Sequence, residues 1–331
     1  MSECVELLTD PGLETLSEIF DSAVLVEHLR AVSLDRWSEG TVEAARIVRV
    51  LKHHVGQRCT LEIGLRTRNG WHYVIGKVYR DDRPDIFHAM ERIQQAGFSP
   101  DEEFSIPRPL AYLSSLHFFL QEKVEGPVAK EIFKSGDEQS RAAAAKRCAL
   151  WLARFHEFGP KAGPIFDAER CLGVLRERTR RIGRLGGRCA EKAKRLLEWL
   201  EHAAKELQPV EMRAAHGSYS PAQLILPERR TVTIDWDGYD VADPARDVSR
   251  FLYALRRLAL DQLDSVRALD GAAEVFLKTY RAVGRPDFQT NFLFYQAAAC
   301  LKLARTVAHW QEKSEVMLDE GLGLLGLGVA R

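Results

Sequence analysis

With 331 residues, 46% of them hydrophobic and 28% charged, the chain has the composition of an ordinary globular protein, long enough for two domains or one large two-lobed one. Its 47 Lys and Arg balance 47 Asp and Glu, so no global charge draws it to nucleic acid or to a membrane surface. Six cysteines stand apart with no C-x-x-C pair, which argues against a disulfide framework or zinc site and for reduced thiols in the cytoplasm.

The opening Met-Ser-Glu-Cys places an acid where a secretion signal would carry positive charge. No apolar run approaches the roughly 18 residues of a membrane span, so a cytoplasmic protein is expected. Residues 12–36 carry apolar stripes at helical spacing, through Leu13, Leu16, Ile19, Phe20, Val24, Val26, Leu29 and Val32. The segments 46–51, 59–65 and 71–79 are short and rich in β-branched and aromatic residues, and read as three strands with turns at Gly56 and Asn69-Gly70. A helix is expected over 85–96 and two strands over 109–124, around Ser114-Ser115. From 137 onward the pattern is almost wholly helical, with candidates at 140–158, 188–206, 246–262, 264–283 and 288–311. His156, Trp310 and Phe292-Leu293-Phe294-Tyr295 read as core, and the Gly- and Leu-rich residues 321–330 as a tail. The parse is an α+β chain. Residues 1–122 form a helical extension plus a β-rich lobe, and 123–331 a helical lobe, with a hinge at 121–125.

The helical half is interrupted once, by His216-Gly217-Ser218-Tyr219-Ser220-Pro221-Ala222-Gln223, then Thr231-Val232-Thr233-Ile234-Asp235-Trp236-Asp237, then Asp243-Pro244-Ala245-Arg246-Asp247. A polar loop, an apolar strand ending in carboxylates and a helix-starting Asp-Pro so close together can hold a metal ion and a phosphate. Mg²⁺ is satisfied by one or two protein carboxylates when phosphates and water supply the remaining oxygens.

This order resembles the aminoglycoside phosphotransferase and choline kinase-like family, small-molecule relatives of the protein kinases. The family pattern is His-Gly-Asp-x-x-x-x-Asn, an Ile-Asp segment, then Asp-Pro-x-x-Asp. His216, Gly217, Pro221, Ile234, Asp235, Trp236, Asp243, Pro244 and Asp247 match it. The resemblance spans roughly residues 46 to 310 and implies a bilobal kinase-like fold, ATP and Mg²⁺ as cofactors, and transfer of phosphate to a hydroxyl of a small molecule. It implies Asp235 and Gln223 as metal ligands, the glutamine standing where the family has asparagine. Lys77 becomes the strand lysine that contacts the ATP phosphates, with Glu91 as its helix partner in one register and His88 in another. Gln121, Glu122 and Lys123 become the hinge that reads adenine. The turn Val55-Gly56-Gln57-Arg58-Cys59 takes the place of the phosphate loop. The spacing Gly70 to Gly76-Lys77 is no P-loop, since valine follows the lysine where Ser or Thr would bind the metal.

Ser218 departs from the pattern, because the family has aspartate there to orient or deprotonate the acceptor hydroxyl. A serine is no comparable base at neutral pH, and three readings follow: a slow kinase, a kinase that uses another carboxylate such as Asp237, or a nucleotide-binding protein without turnover. Base assistance contributes about 10²–10⁴-fold, and phosphoryl transfer leans mainly on positioning and electrostatics; the reading leans to an enzyme. Nine Lys and Arg within residues 176–195, against Glu177 and Glu191, form either a solvated helix face or a surface for an anionic partner such as an acidic acceptor. No aromatic residue interleaves this run, which disfavours nucleic acid.

Overall fold

Alternation of β-branched and aromatic residues gives the N-terminal region its central sheet, and every neighbouring pair in it is antiparallel. The computed structural model of the chain describes residues 8–31, 40–284, 286–304 and 310–326, and divides into two units, Met1–Glu125 and Gly126–Arg331. The first unit runs α1 (Leu16–Phe20), α2 (Ser22–Ala31), β1 (Ala44–His54), β2 (Arg58–Thr67), β3 (Gly70–Tyr79), α3 (Pro84–Ile93), β4 (Phe104–Ser105), β5 (Pro109–Leu113) and β6 (Phe118–Glu122). Its five-stranded sheet has the order β1-β2-β3-β6-β5. The stretch expected as one helix over 12–36 is two, because Asp21 ends α1 and its carboxylate then accepts the Ala23 amide at 2.9 Å as α2 begins. Val32 lies outside the described residues.

The period of two along each strand separates two faces. Cys59, Leu61, Ile63 and Leu65 of β2, Val74 and Val78 of β3, and Phe118 and Leu120 of β6 are buried in one cluster with Leu16 and Ile19 of α1 and Leu25 and Leu29 of α2. Residues directly opposed across an antiparallel pair share a face. Lys77 is opposed to Thr60 on one side and Phe119 on the other, so it projects from the face away from that cluster.

A buried carboxylate fastens the N-terminal segment to the β1–β2 turn. Asp10 accepts the Gly56 amide (2.7 Å), the Gly12 amide (3.0 Å) and a hydrogen bond with His53 Nε2 (2.7 Å). The Gly56 amide, then His53, holds its carboxyl below the usual carboxylate range. The backbones of Gly12 and Gly56 touch there, and a Cβ on Gly12 would lie 2.5 Å from Gly56 Cα. Gly12→Ala must therefore part the segment from the turn. Overpacking of this kind costs about 1–3 kcal/mol, and thermal unfolding of the variant is expected to show that loss.

The second unit contains α4 (Ala129–Ser135), α5 (Glu138–Phe158), β7 (Ile165–Phe166), α6 (Ala168–Gly183), α7 (Gly187–Ala203), β8 (Arg213–Ala215), β9 (Leu224–Ile225), β10 (Thr231–Thr233), β11 (Asp240–Ala242), α8 (Ala245–Gln262), α9 (Asp270–Val283), α10 (Phe292–Leu303) and α11 (Gln311–Leu324). Asp137 and Asp167 start α5 and α6 by accepting the Ser140 and Arg170 amides at 2.7 and 2.9 Å. The expected helix 264–283 begins only at Asp270, after a turn in which Asp264 has φ 53°. The expected helix 288–311 ends at Leu303, and 305–309 lie outside the described residues, as do Cys4 and the tail beyond 326. Trp310 is half-buried rather than core. Cys59, Cys148, Cys171, Cys189 and Cys300 are free and buried. No helix among the described residues is long and apolar enough to cross a membrane.

An aromatic core supports the short strands. Trp151 of α5 stacks on Tyr219 with ring centroids 5.9 Å apart, Phe155 meets Trp236 at 5.0 Å, and Phe251 of α8 stacks on Phe276 of α9 at 4.1 Å. Tyr219 donates its hydroxyl to the Cys148 carbonyl at 2.8 Å. The irregular loop before Gln223 is thus anchored in the helical core by its own tyrosine.

Candidate active site

Two motifs distant in sequence are locked together by one buried carboxylate. Asp247, in the first turn of α8, is fully buried and accepts the His216 amide at 2.6 Å and the Gly217 amide at 3.1 Å. Burial pushes its carboxyl upward, but the facing His156 imidazole and then the Arg246 guanidinium outweigh this and hold it down to about 2. His156 is buried as expected, and its imidazole is also functional support: Nε2 faces Asp247 at 3.7 Å while Nδ1 bonds the Tyr280 hydroxyl at 2.7 Å. Gly217 is required by geometry. Its φ is +76°, and a Cβ there would sit 2.2 Å from the Gly238 carbonyl oxygen.

The loop then hands over to the strand that carries Asp235. His216 donates from Nε2 to the Ile234 carbonyl at 2.9 Å, and Ile234 donates its amide to the Gln223 carbonyl at 2.9 Å. These bonds tie the His216 ring and the Gln223 backbone to Ile234, the residue before Asp235. Asp235 adopts the left-handed conformation, φ 70° and ψ 61°, which costs a non-glycine residue on the order of 1–3 kcal/mol and persists where surrounding structure dictates it. The carboxylate is half-buried. Gln223 directs its amide oxygen to the Ser220 hydroxyl. No cluster of three or more His, Cys, Asp or Glu side chains suited to a metal exists among the described residues. One carboxylate and one amide oxygen are the donors to hand, a set that fits an Mg²⁺ carried mainly by phosphate and water oxygens.

Ser218 occupies the centre of this arrangement. With His216 Nε2 donating to a carbonyl, Nδ1 is left as an acceptor, and the Ser218 hydroxyl lies 3.2 Å from it. A Cβ on Gly238 would come 3.9 Å from Ser218 Oγ, so the turn Trp236–Gly238, which includes Asp237, lies alongside the serine. The Asp243-Pro244 step starts α8: Asp243 is buried, accepts the Ala245 amide at 2.8 Å and accepts from Asn291 at 2.9 Å. Arg246 makes a two-pronged ion pair with Asp240 at 2.9 and 2.5 Å.

Of the sequence-selected residues of the first unit, Lys77 and Gln121 share one face of its sheet, whereas Glu122, opposed to Val74, is on the other. Lys77 is buried, 5% exposed, and shares that face with Phe119, whose ring meets Phe87 of α3 edge-on at 6.1 Å. Glu91 stands one helical turn beyond Phe87 and is half-buried, whereas the His88 side chain is 59% exposed. The helix therefore offers Glu91 rather than His88 to the lysine's face, with His88 Nδ1 at 3.1 Å from Glu91 Oε2. Gln121 is buried opposite Ile75 on that face. Glu122 is tied to Arg108, accepting its amide at the side chain (3.0 Å) and donating its own amide to the Arg108 carbonyl (2.8 Å). The Lys123 ammonium bonds Glu125 at 2.6 Å and the buried Glu62 at 2.9 Å, which leaves its backbone rather than its charge for a ligand. Glu62, which the sequence reading passed over, is buried yet held below the ordinary range: desolvation raises its carboxyl, and Lys123 and Arg49 more than offset it.

The family follows from sequence comparison. A family model described as the phosphotransferase enzyme family matches residues 72–283. The chain belongs to that family. No curated protein matches it significantly. Solved structures share the kinase-like α+β fold of this chain. A thermostable mutant of the aminoglycoside phosphotransferase APH(4)-Ia, in a ternary complex with ADP and hygromycin B, gives a TM-score of 0.61 at 12% identity, over 94% of this chain and 99% of that one. A choline/ethanolamine kinase family protein from Mesorhizobium loti gives 0.59 at 12% identity, over 91% and 93%. Choline kinase LicA from Streptococcus pneumoniae gives 0.57 at 15% identity, over 86% and 94%.

The cationic run 176–195 is neutralised in part, two of its members by acids from elsewhere in the chain. Arg176 pairs with Glu201 and Glu169, each at 2.7 Å, and Lys192 with Asp319 at 2.8 Å and Glu315 at 3.4 Å. Arg180 and Arg181 share Glu177. A local count of charges missed these partners because helix packing supplies them from up to 127 residues away.

Proposed function

We propose that the chain transfers the γ-phosphoryl group of ATP, with Mg²⁺, to a hydroxyl of a small molecule. The observation that carries this reading is the left-handed Asp235 following Ile234, which is hydrogen-bonded to both the His216 ring and the Gln223 backbone, in a chain of the phosphotransferase family. Mg²⁺ neutralises charge on the β- and γ-phosphates. Asp235 and Gln223 would hold it, and Gln223 reaches it by releasing the Ser220 hydroxyl. Lys77 would grip phosphate oxygens and Glu91 would fix the ammonium. The backbone at Gln121, Glu122 and Lys123 would receive adenine. Ser218 would line the acceptor site and position the hydroxyl, the dominant requirement for a loose transition state. The ADP of the APH(4)-Ia complex, a related fold, supports nucleotide as the donor class.

One observation favours a second reading, a nucleotide-binding protein without turnover. The Ser218 hydroxyl is engaged with His216, and a serine presents no carboxylate to an incoming hydroxyl. The test is ATP with Mg²⁺ against a panel of hydroxyl-bearing amines, sugars and acids, followed by phosphorylated product. Product that requires Mg²⁺ and disappears in Asp235→Ala supports the transferase. Nucleotide binding with no product from any acceptor, and none from water, supports the second reading.

A further inference from the structure

One pocket of the second unit gathers positive charge that the protein itself does not neutralise. It is a cavity of about 190 Å³ walled by Lys130, Arg250 and Arg257, by Asp261, and by Ser220 and Ala222 of the candidate active-site loop. Arg257 has a carboxylate nearby, Asp261 at 4.0 Å. Lys130 and Arg250 have no hydrogen bond or ion pair among the described residues, and Arg250 Nη1 is buried with nothing to donate to. Behind Arg250 stand Arg178 of α6 and Lys302 of α10, which likewise have no acceptor among the described residues. Burial, then the charges of Arg178 and Arg250, pushes the Lys302 ammonium down to about 8, and burial, then the charges of Arg257 and Arg178, pushes Arg250 down to about 10. Unpaired buried charge destabilises a fold, and local rules broken without internal compensation mark functional sites. The volume is below the ~300 Å³ of a pocket for a whole drug-sized ligand, so it suits one charged group rather than a whole molecule.

We propose that this pocket binds a doubly charged oxyanion, of the phosphate-monoester or dicarboxylate type, carried by the molecule whose hydroxyl is presented to the Ser218 loop. Two charges are needed, because a single carboxylate leaves most of the cluster uncompensated. The inference rests on the phosphotransferase reading for the word acceptor, but the anion site itself does not. An acceptor anchored here places its anion against Ser220 and Ala222, between Ser218 and Gln223 in the chain. This assigns the chain an acidic substrate, and gives the inward-turned Arg178 a role distinct from the solvated remainder of its helix.

The test uses the intact protein without nucleotide, with inorganic phosphate, malonate and acetate as probes in calorimetry and thermal unfolding. Phosphate or malonate is expected to bind saturably and raise the melting temperature, the tighter of the two identifying the shape of the group, with acetate at least tenfold weaker. Arg250→Gln is expected to weaken binding at least tenfold. Lys302→Met should weaken it several-fold while raising the melting temperature of the ligand-free protein, since it removes a repelled charge. Lys130→Gln, on a half-buried side chain, repeats the binding test should Arg250→Gln fail to fold. Absence of saturable binding, acetate binding as tightly as the dianions, or variants that bind like wild type would overturn the proposal. Binding of ADP with Mg²⁺, measured in parallel on the same variants, should be unchanged. Its absence in wild type would count against the phosphotransferase reading alone.

Discussion

Asp247→Ala is expected to lower the melting temperature by on the order of 10 °C and to abolish nucleotide-dependent stabilisation with it. The carboxylate is fully buried and receives two backbone amides, so alanine leaves the His216 and Gly217 amides without acceptors. It also leaves the buried His156 without the anion it faces, while Arg246 keeps only Asp240. Removing one member of a buried charged network costs about 3–5 kcal/mol, and each kcal/mol is worth roughly 2–4 °C in a domain of this size. The loop is released by the same change, because both amides belong to the His-Gly step that sets Ser218 in place. Asp247→Asn keeps one acceptor oxygen and no charge, and should fall between wild type and alanine.

The same residue gives a signed pH dependence. A carboxyl held down to about 2 from 3.8 is more acidic folded than unfolded. Its contribution, roughly 2 kcal/mol, is therefore fully present above the ordinary value and is lost as pH falls through the folded one. Between about pH 4 and pH 2 wild type should lose this increment, and the difference in stability between wild type and Asp247→Asn should shrink across that window. Chemical denaturation at a series of pH values checks it.

Ser218→Asp is the second large effect, in the opposite direction. If Ser218 already positions the acceptor, adding a carboxylate at that place restores base assistance worth about 10²–10⁴-fold in turnover. The backbone is fixed by Asp247 through Gly217 and by Tyr219 in the aromatic core, so the substitution changes the group and not its placement. Ser218→Ala separates the roles: loss of the hydroxyl without loss of nucleotide binding should reduce turnover if the serine orients the acceptor. Equal turnover in serine, alanine and aspartate forms, with nucleotide bound in all three, would assign the chain to binding without transfer.

How much could be read from the residues differed sharply between elements. The strands of the first sheet and most long helices were legible, because period-two and period-3.6 patterns are written locally. The break at Asp21 was also written locally, as a capping residue, yet lay hidden inside a continuous apolar stripe. Motif residues Gln223 and Asp235 were readable in type, and their link through the Ile234 amide was not, since that bond joins residues eleven positions apart. Asp247 appeared as the last letter of a motif; only packing shows that it holds the first letters of another. Least visible were long-range charge relations. Glu62 waits on Lys123, Asp10 on Gly56, and the 176–195 run on acids in α11, while Arg178, Arg250 and Lys302 meet only when three helices are assembled.

The proposal at the centre of this account is that Lys77 and Asp235 each contribute to binding Mg²⁺-nucleotide. Calorimetric titration of ADP and of a non-hydrolysable ATP analogue, with and without Mg²⁺, tests it most directly on wild type, Lys77→Ala and Asp235→Ala. Binding that needs Mg²⁺ and weakens at least tenfold in each variant, with both variants still folded, is the predicted result. Folded wild type that binds neither nucleotide, or variants that bind as wild type does, would contradict it.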